Sequence, residues 1–191
     1  MQETKHISNS MNYVFLADGF EEIEALAVVD ILRRADLEVA TVSIMNGYEV
    51  SGAHDILVTA DVMLSDIDPE SDDCIILPGG LPGATNLRAC KPLCNMITSH
   101  FAEGGHVAAI CAAPFILGEL GILSGAEAIC YPGFEDKLEG ATVSEKPVVK
   151  SGNIITGKGP GVAMDFALAL VEDQAGTDVA DQLREGMMMQ C

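Results

Sequence analysis

A chain of 191 residues with 49% apolar side chains is long enough for one domain with a sizeable core, and too apolar to be disordered. Ten Lys plus Arg against 29 Asp plus Glu leave a formal net charge of -19, a field that repels phosphate backbones and anionic lipid and so argues against nucleic-acid or membrane partners. No apolar run reaches membrane-spanning length, and the polar opening Met1 to Ser10 lacks a signal-peptide core. The expectation is a cytoplasmic chain with an N-terminal extension over 1–11 and a single domain over 12–191.

The cysteines are Cys74, Cys90, Cys94, Cys111, Cys130 and Cys191. They form no C-x-x-C pair and no zinc-ribbon spacing. Free thiols in a reducing compartment are expected, with no metal and no cofactor.

In chain order, the apolar run Tyr13 to Ala17 predicts a first strand, turned by Asp18-Gly19-Phe20 into a helix from about Glu21 to Ala35. Acidic residues suit the start of a helix, which accounts for Glu21 and Glu22. Glu24 differs, because Phe20, Ala27, Val28 and Ile31 surround it at helical spacing. A carboxyl inside an apolar stripe is unfavourable unless protonated or hydrogen-bonded, and this marks Glu24 as a candidate acid. A second strand spans Glu38 to Met45, and Asn46-Gly47 reads as a hairpin turn. Short strands follow around Val50 and Ile56 to Thr59, then an acidic loop from Asp66 to Asp73.

Cys74 to Leu77 reads as a buried strand, followed by Pro78-Gly79-Gly80-Leu81-Pro82-Gly83 and a helix from Pro92 to about Glu103. The glycine run is either a plain loop or a place where backbone N–H groups approach an oxyanion. It is not a P-loop, since no GK[ST] follows. Further on, Ala126 to Cys130 reads as a strand, and Val148 to Ser151 with Asn153 to Thr156 as a hairpin about Gly152. Gly157 to Gly161 leads into a helix ending near Asp173, and a last helix spans about Thr177 to Arg184.

Between these lies Gly104 to Phe115. The apolar strand Val107 to Ile110 ends abruptly at Cys111, and Pro114 suits the first turn of a helix. A strand running straight into a helix holds the apex residue at the sheet's carboxyl edge, and small residues two places either side, here Ala109 and Ala113, let the bend close. The following helix would favour the thiolate. A buried structural cysteine is the competing reading. Strands alternating with helices predict a mostly parallel sheet covered on both faces, with the site beyond the strands' carboxyl ends. The loops Asp18 to Glu24, Pro78 to Gly83 and Cys111 to Pro114 converge there, and that convergence favours a functional Cys111.

Several segments together resemble the DJ-one/ThiJ/PfpI superfamily, most of all its DJ-one/ThiJ branch. They are Ala17-Asp18-Gly19-Phe20-Glu21-Glu22-Ile23-Glu24, Val29 to Ala35, Leu77-Pro78-Gly79-Gly80, Ala109-Ile110-Cys111-Ala112-Ala113-Pro114, and Gly159-Pro160-Gly161 before Phe166 to Glu172. The resemblance runs from about Asn12 to Leu183. It implies a flavodoxin-like three-layer α/β sandwich, class I glutamine amidotransferase-like, and a homodimer. It implies that Cys111 is the reactive, oxidation-sensitive cysteine, that Glu24 hydrogen-bonds its sulfur, and that Gly80 and Ala112 offer backbone N–H groups to an oxyanion. Gly79, Leu81, Tyr131, Pro160 and His54 would form the rim. Family members have been described as glyoxalases or deglycases acting on small reactive dicarbonyls or their adducts, and as redox-responsive chaperones; thiazole-biosynthesis labels attach to ThiJ names.

The chain departs from the family pattern in places. Tyr131 stands where glyoxalase-type members often carry His, and all four histidines (His6, His54, His100, His106) precede Cys111, so no downstream His can complete an amidotransferase-like triad. Ala112 replaces the His that follows the cysteine in protease-like relatives. Three readings remain: a cysteine-dependent enzyme for reactive carbonyl compounds, in which Glu24 moves the proton, a sensor or chaperone whose Cys111 is the target of oxidants, and a structural or binding dimer without chemistry at Cys111.

Overall fold

The computed structural model describes residues 10–189; the segment 1–9, His6 within it, and Cys191 lie outside the described residues. A seven-stranded sheet runs through the molecule in the order β10-β11-β7-β6-β1-β2-β5. The strands are β1 (Met11–Leu16), β2 (Glu38–Ser43), β5 (Val62–Met63), β6 (Cys74–Leu77), β7 (His106–Ile110), β10 (Val148–Ser151) and β11 (Ile154–Gly157). All pairs are parallel except β10 with β11, which close a hairpin about Gly152 at φ 62°.

Side chains alternate between two cores, as strand geometry requires. Phe15, Ile75, Leu77, Val107 and Ala109 face one side, where they pack with α2 (Gly83–Ala89), α3 (Lys91–Ala102) and α4 (Pro114–Glu119) through Leu87, Leu93, Ile97 and Ile116. Val14, Leu16, Ile76, Ala108 and Ile110 face the other, against α1 (Glu22–Arg34), α5 (Ala163–Ala175) and α6 (Thr177–Gly186) through Val28, Ile31, Phe166, Leu170 and Ala180. With both faces covered, the central strands read as continuous apolar runs. This is the flavodoxin-like three-layer sandwich of the class I glutamine amidotransferase-like fold.

The structure moves some elements from where the sequence put them. Asn46-Gly47 is no hairpin, because β2 is already flanked by β1 and β5. The hairpin lies one step later, between β3 (Glu49–Ser51) and β4 (Leu57–Thr59). The glycine run leads into an extra helix, α2, before α3. The strand expected over Ala126 to Cys130 shortens to β8 (Glu127–Ala128), paired with β9 (Thr142–Val143) outside the main sheet.

Candidate active site

The three strands that feed the predicted loops, β7, β6 and β1, are adjacent in the sheet, so the loops meet at one edge. Backbone hydrogen bonds lock the first two loops together, Glu21 N–H donating to Gly79 O at 3.0 Å and Gly83 N–H to Gly19 O at 3.2 Å, and Gly19 N–H ties them to β3 through Ser51 O at 2.7 Å. Gly80 has φ 85°, and a Cβ there would lie 2.4 Å from Glu21 N and 2.5 Å from Gly19 O. Only glycine satisfies both conditions.

The chain reverses at Cys111, which holds φ 64°, a left-handed conformation disfavoured for any side chain with a Cβ. Two hydrogen bonds impose it: Cys111 N–H donates to Gly157 O on β11 at 2.9 Å, and Tyr131 N–H donates to Cys111 O at 2.7 Å. The flanking Ala109 and Ala113 are fully buried. The sulfur is half-buried, neither sealed in the core nor standing free.

Glu24, in the first turn of α1, is fully buried. Its Oε2 accepts the Gly79 N–H at 2.7 Å. Oε1 is buried without a partner of full hydrogen-bond geometry, and the thiol of Cys111 is the side chain that interacts with this carboxyl. Gly79 shows how close the two groups lie, because a Cβ on it would sit 2.7 Å from both Cys111 Cβ and Glu24 Oε2.

Burial pushes the Glu24 carboxyl up from 4.5 to about 7, against the lowering effect of its hydrogen bonds with Cys111 and Gly79. Burial likewise pushes the Cys111 thiol from 9.0 to about 12, helped by the Glu24 charge and hydrogen bond and opposed by N–H groups of Ala112 and Gly80 aimed at the sulfur. This corrects the expectation of a thiolate favoured by the following helix. That helix, α4, is only six residues long, and burial and the adjacent carboxylate outweigh it. The pair is coupled and holds at most one negative charge. A proton moved from sulfur to Glu24 removes the repulsion that raises the thiol, and leaves a thiolate facing two N–H donors.

The other predicted residues divide. Leu81 is 56% and Tyr131 47% exposed at the edge of the loop cluster. Tyr131 and Pro160 line an open groove of about 350 Å³, which the Tyr131 N–H ties to the Cys111 carbonyl at 2.7 Å. His54 does not join the thiol–carboxyl pair. Its Nδ1 lies 2.8 Å from Glu22 Oε2 and 3.8 Å from Glu21 Oε1, and its N–H donates to Glu22 Oε1 at 2.8 Å. Glu22, assigned from sequence only to the helix dipole, is therefore a buried structural carboxylate. Burial raises it, but the His54 hydrogen bonds win and hold it below its ordinary 4.5. Glu21, Glu22 and His54 bring potential ligand atoms within 4.8 Å of one another, and are the described residues best placed to hold a metal ion. His100 and His106 lie at the amino end of β7, the opposite end from Cys111.

A cysteine sulfur held at a strained strand-to-helix bend, with a buried acid from the first helix and two N–H donors beside it, is the candidate site of this α/β protein. The chain belongs to the DJ-1/PfpI family, which residues 12–173 match. It is 41% identical over 176 residues to "Protein DJ-1 homolog B" of Arabidopsis thaliana; this covers 91% of the chain but only 40% of that protein, so the chain spans less than half the length of that relative. It is 34% identical over 165 residues to "Glutathione-independent glyoxalase DJR-1.2" of Caenorhabditis elegans, covering 85% of the chain and 87% of the relative. The solved structure of oxidized Toxoplasma gondii DJ-1 superposes with a TM-score of 0.89 at 35% identity, over 94% of this chain and 98% of that one. No helix among the described residues is long and apolar enough to cross a membrane.

Proposed function

We propose that the chain is a cysteine-dependent glyoxalase-type enzyme acting on small reactive dicarbonyls or their adducts. The observation that carries this reading is the Glu24 carboxyl, raised to about 7 against the Cys111 sulfur, where it can take and return a proton at neutral pH. The worm relative named as a glyoxalase supports it.

The steps balance without an external oxidant. Glu24 takes the thiol proton, and the sulfur adds to the aldehyde carbon of methylglyoxal. The new oxyanion accepts the N–H groups of Gly80 and Ala112. Glu24, having returned its proton to that oxygen, removes the hydrogen on the former aldehyde carbon as a proton, its electron pair forming an enediolate, and delivers it to the neighbouring carbonyl carbon while the proton of the first hydroxyl passes to the second oxygen. The first carbon is thereby oxidised to a thioester and the second reduced to an alcohol. Water cleaves the thioester, restores the thiol and releases lactate. Tyr131 stands where a histidine would assist, so the proton work falls on Glu24.

A second reading, oxidation of Cys111 as a sensor, is favoured by the half-exposed sulfur beside an acid that can donate a hydrogen bond to a sulfinate, and by the oxidized state of the Toxoplasma relative. One comparison decides between them. Purified wild type is expected to form lactate from methylglyoxal, and Cys111→Ser to lose at least about a hundredfold in rate. Equal rates remove the catalytic reading. Absent turnover in both, together with two oxygens added to Cys111 before Cys90 under mild peroxide, selects the sensor.

A further inference from the structure

Carboxylates outnumber cations in this chain by 29 to 10, and most cations are consumed. Arg33, Arg34, Arg88, Lys146, Lys150 and Arg184 are in ion pairs, and Lys137 lies over the rings of Phe115 and Phe134. Among the described residues only Lys91 and Lys158 keep an ammonium without a carboxylate or ring partner. Lys91 begins α3. Lys158 lines the groove of about 350 Å³ whose walls are Tyr131, Pro132, Pro160 and Val162.

That groove is tied to the reactive centre at two points. Tyr131 N–H donates to the carbonyl of Cys111, and Cys111 N–H donates to Gly157 O, the residue before Lys158. The Lys158 backbone is itself fixed by its N–H to Pro147 O at 2.9 Å. Gly159 leaves room for the Tyr131 ring, which a Cβ there would meet at 3.1 Å. The volume falls at the small end of ligand sites, about 300–1,000 Å³, and exceeds what a three-carbon dicarbonyl fills.

We propose that Lys158 is a specificity-determining residue: the groove receives the outer part of a carbonyl substrate that has an apolar body and ends in a carboxylate, and the Lys158 ammonium pairs with that carboxylate while the carbonyl lies at Cys111. The proposal rests on Cys111 being the reacting group and narrows the substrate class from neutral dicarbonyls to anionic ones. An unpaired cation on this surface offsets a strongly negative field at the one place where an anion must approach. The apolar walls take the body of the compound, because burying them against water-like substrates would gain little.

Two readouts test it. The first needs no turnover: Cys111 displaces iodide from iodoacetate (anionic) or iodoacetamide (neutral), and the ratio of the two rates reports attraction for an anion. Lys158→Met should lower this ratio about fivefold or more and Lys158→Arg should restore it, while Lys91→Met, which makes the same change in net charge elsewhere, should leave it within about twofold. The second is turnover of 4-carboxyphenylglyoxal against phenylglyoxal. Lys158→Met should raise KM about tenfold for the carboxylated compound and leave the neutral one within about twofold. Equal effects of Lys158→Met and Lys91→Met on the alkylation ratio overturn the proposal. An unchanged ratio in Lys158→Met overturns it too, whether or not either glyoxal is turned over. A Lys158-dependent ratio with no turnover of any glyoxal instead leaves anion recognition standing and removes the glyoxalase reading alone.

Discussion

Glu24→Gln is the substitution most exposed to refutation. The native carboxyl is fully buried, and burial raises it from 4.5 in the unfolded chain to about 7. At about 1.36 kcal/mol per tenfold change in proton affinity, that rise corresponds to roughly 3 kcal/mol. The sign follows from which form the fold prefers. A raised carboxyl favours the protonated native state, so its contribution is fully present below pH 4.5 and is lost as pH rises through about 7. Above that, the native state must hold a buried charge beside a sulfur. Gln keeps the oxygen that accepts the Gly79 N–H and carries no charge, so its stability lacks this slope. Between pH 5 and 8 the stability of Glu24→Gln relative to wild type should therefore improve by about 2.5 kcal/mol. In urea at a slope near 2 kcal/mol per molar, the gap between the two midpoints should move by about 1 M. Unfolding under reducing conditions at pH 5, 6, 7 and 8 measures it. Parallel profiles for the two proteins would show that Glu24 is ionised throughout, and the proton shuttle assigned to it would go with that result.

Two further outcomes follow from the same geometry. Gly79→Ala places a methyl 2.7 Å from both Cys111 Cβ and Glu24 Oε2 and should destabilise the fold by about 1–3 kcal/mol and abolish turnover, whereas Gly47→Ala, with nothing within 4 Å, should stay within about 0.5 kcal/mol in the same denaturation assay. The Glu22 hydrogen bond, aided by the charges of Glu21 and Glu22, raises His54 above its ordinary 6.5; its contribution to stability is present below 6.5 and lost as pH rises through the folded value, and an NMR titration should show Glu22→Gln returning His54 toward 6.5.

What could be read from the chain alone depended on how local its causes were. The burial of Glu24 was legible because Ala27, Val28 and Ile31 share its helical face. The Cys111 bend was legible because an apolar run, small flanks and Pro114 lie within a dozen residues. Glu22 was misjudged because its partners are the backbone N–H and imidazole of His54, some thirty residues on, beside Gly52, where a Cβ would overlap the carboxylate. Helix α2 was missed because Gly83 and Pro82, poor helix formers alone, are held in place by the Gly19–Phe20 turn. Asn46-Gly47 misled because a local turn preference cannot see that β2 is filled on both sides. The direction of the thiol shift was illegible for a related reason. A helix start can be read from sequence, but the depth of a sulfur and the charge opposite it cannot.

The strained bend and the buried acid make sense only as a pair. Alone, the left-handed Cys111 backbone would be relieved by glycine, and the buried Glu24, with one oxygen lacking a full partner, by an apolar side chain of similar size. Together they solve a problem that neither solves alone. The bend brings the sulfur within reach of the Gly80 and Ala112 N–H groups, yet burial and an adjacent carboxylate favour its protonated form. Because Glu24 is itself raised to about 7, the charge that suppresses the thiol is the same base that can receive its proton. A permanently ionised carboxylate would suppress the thiolate, and a permanently neutral side chain could not accept the proton. The proposed proton exchange at neutral pH thus rests on the burial of Glu24, and the Gly79 backbone lies against both groups.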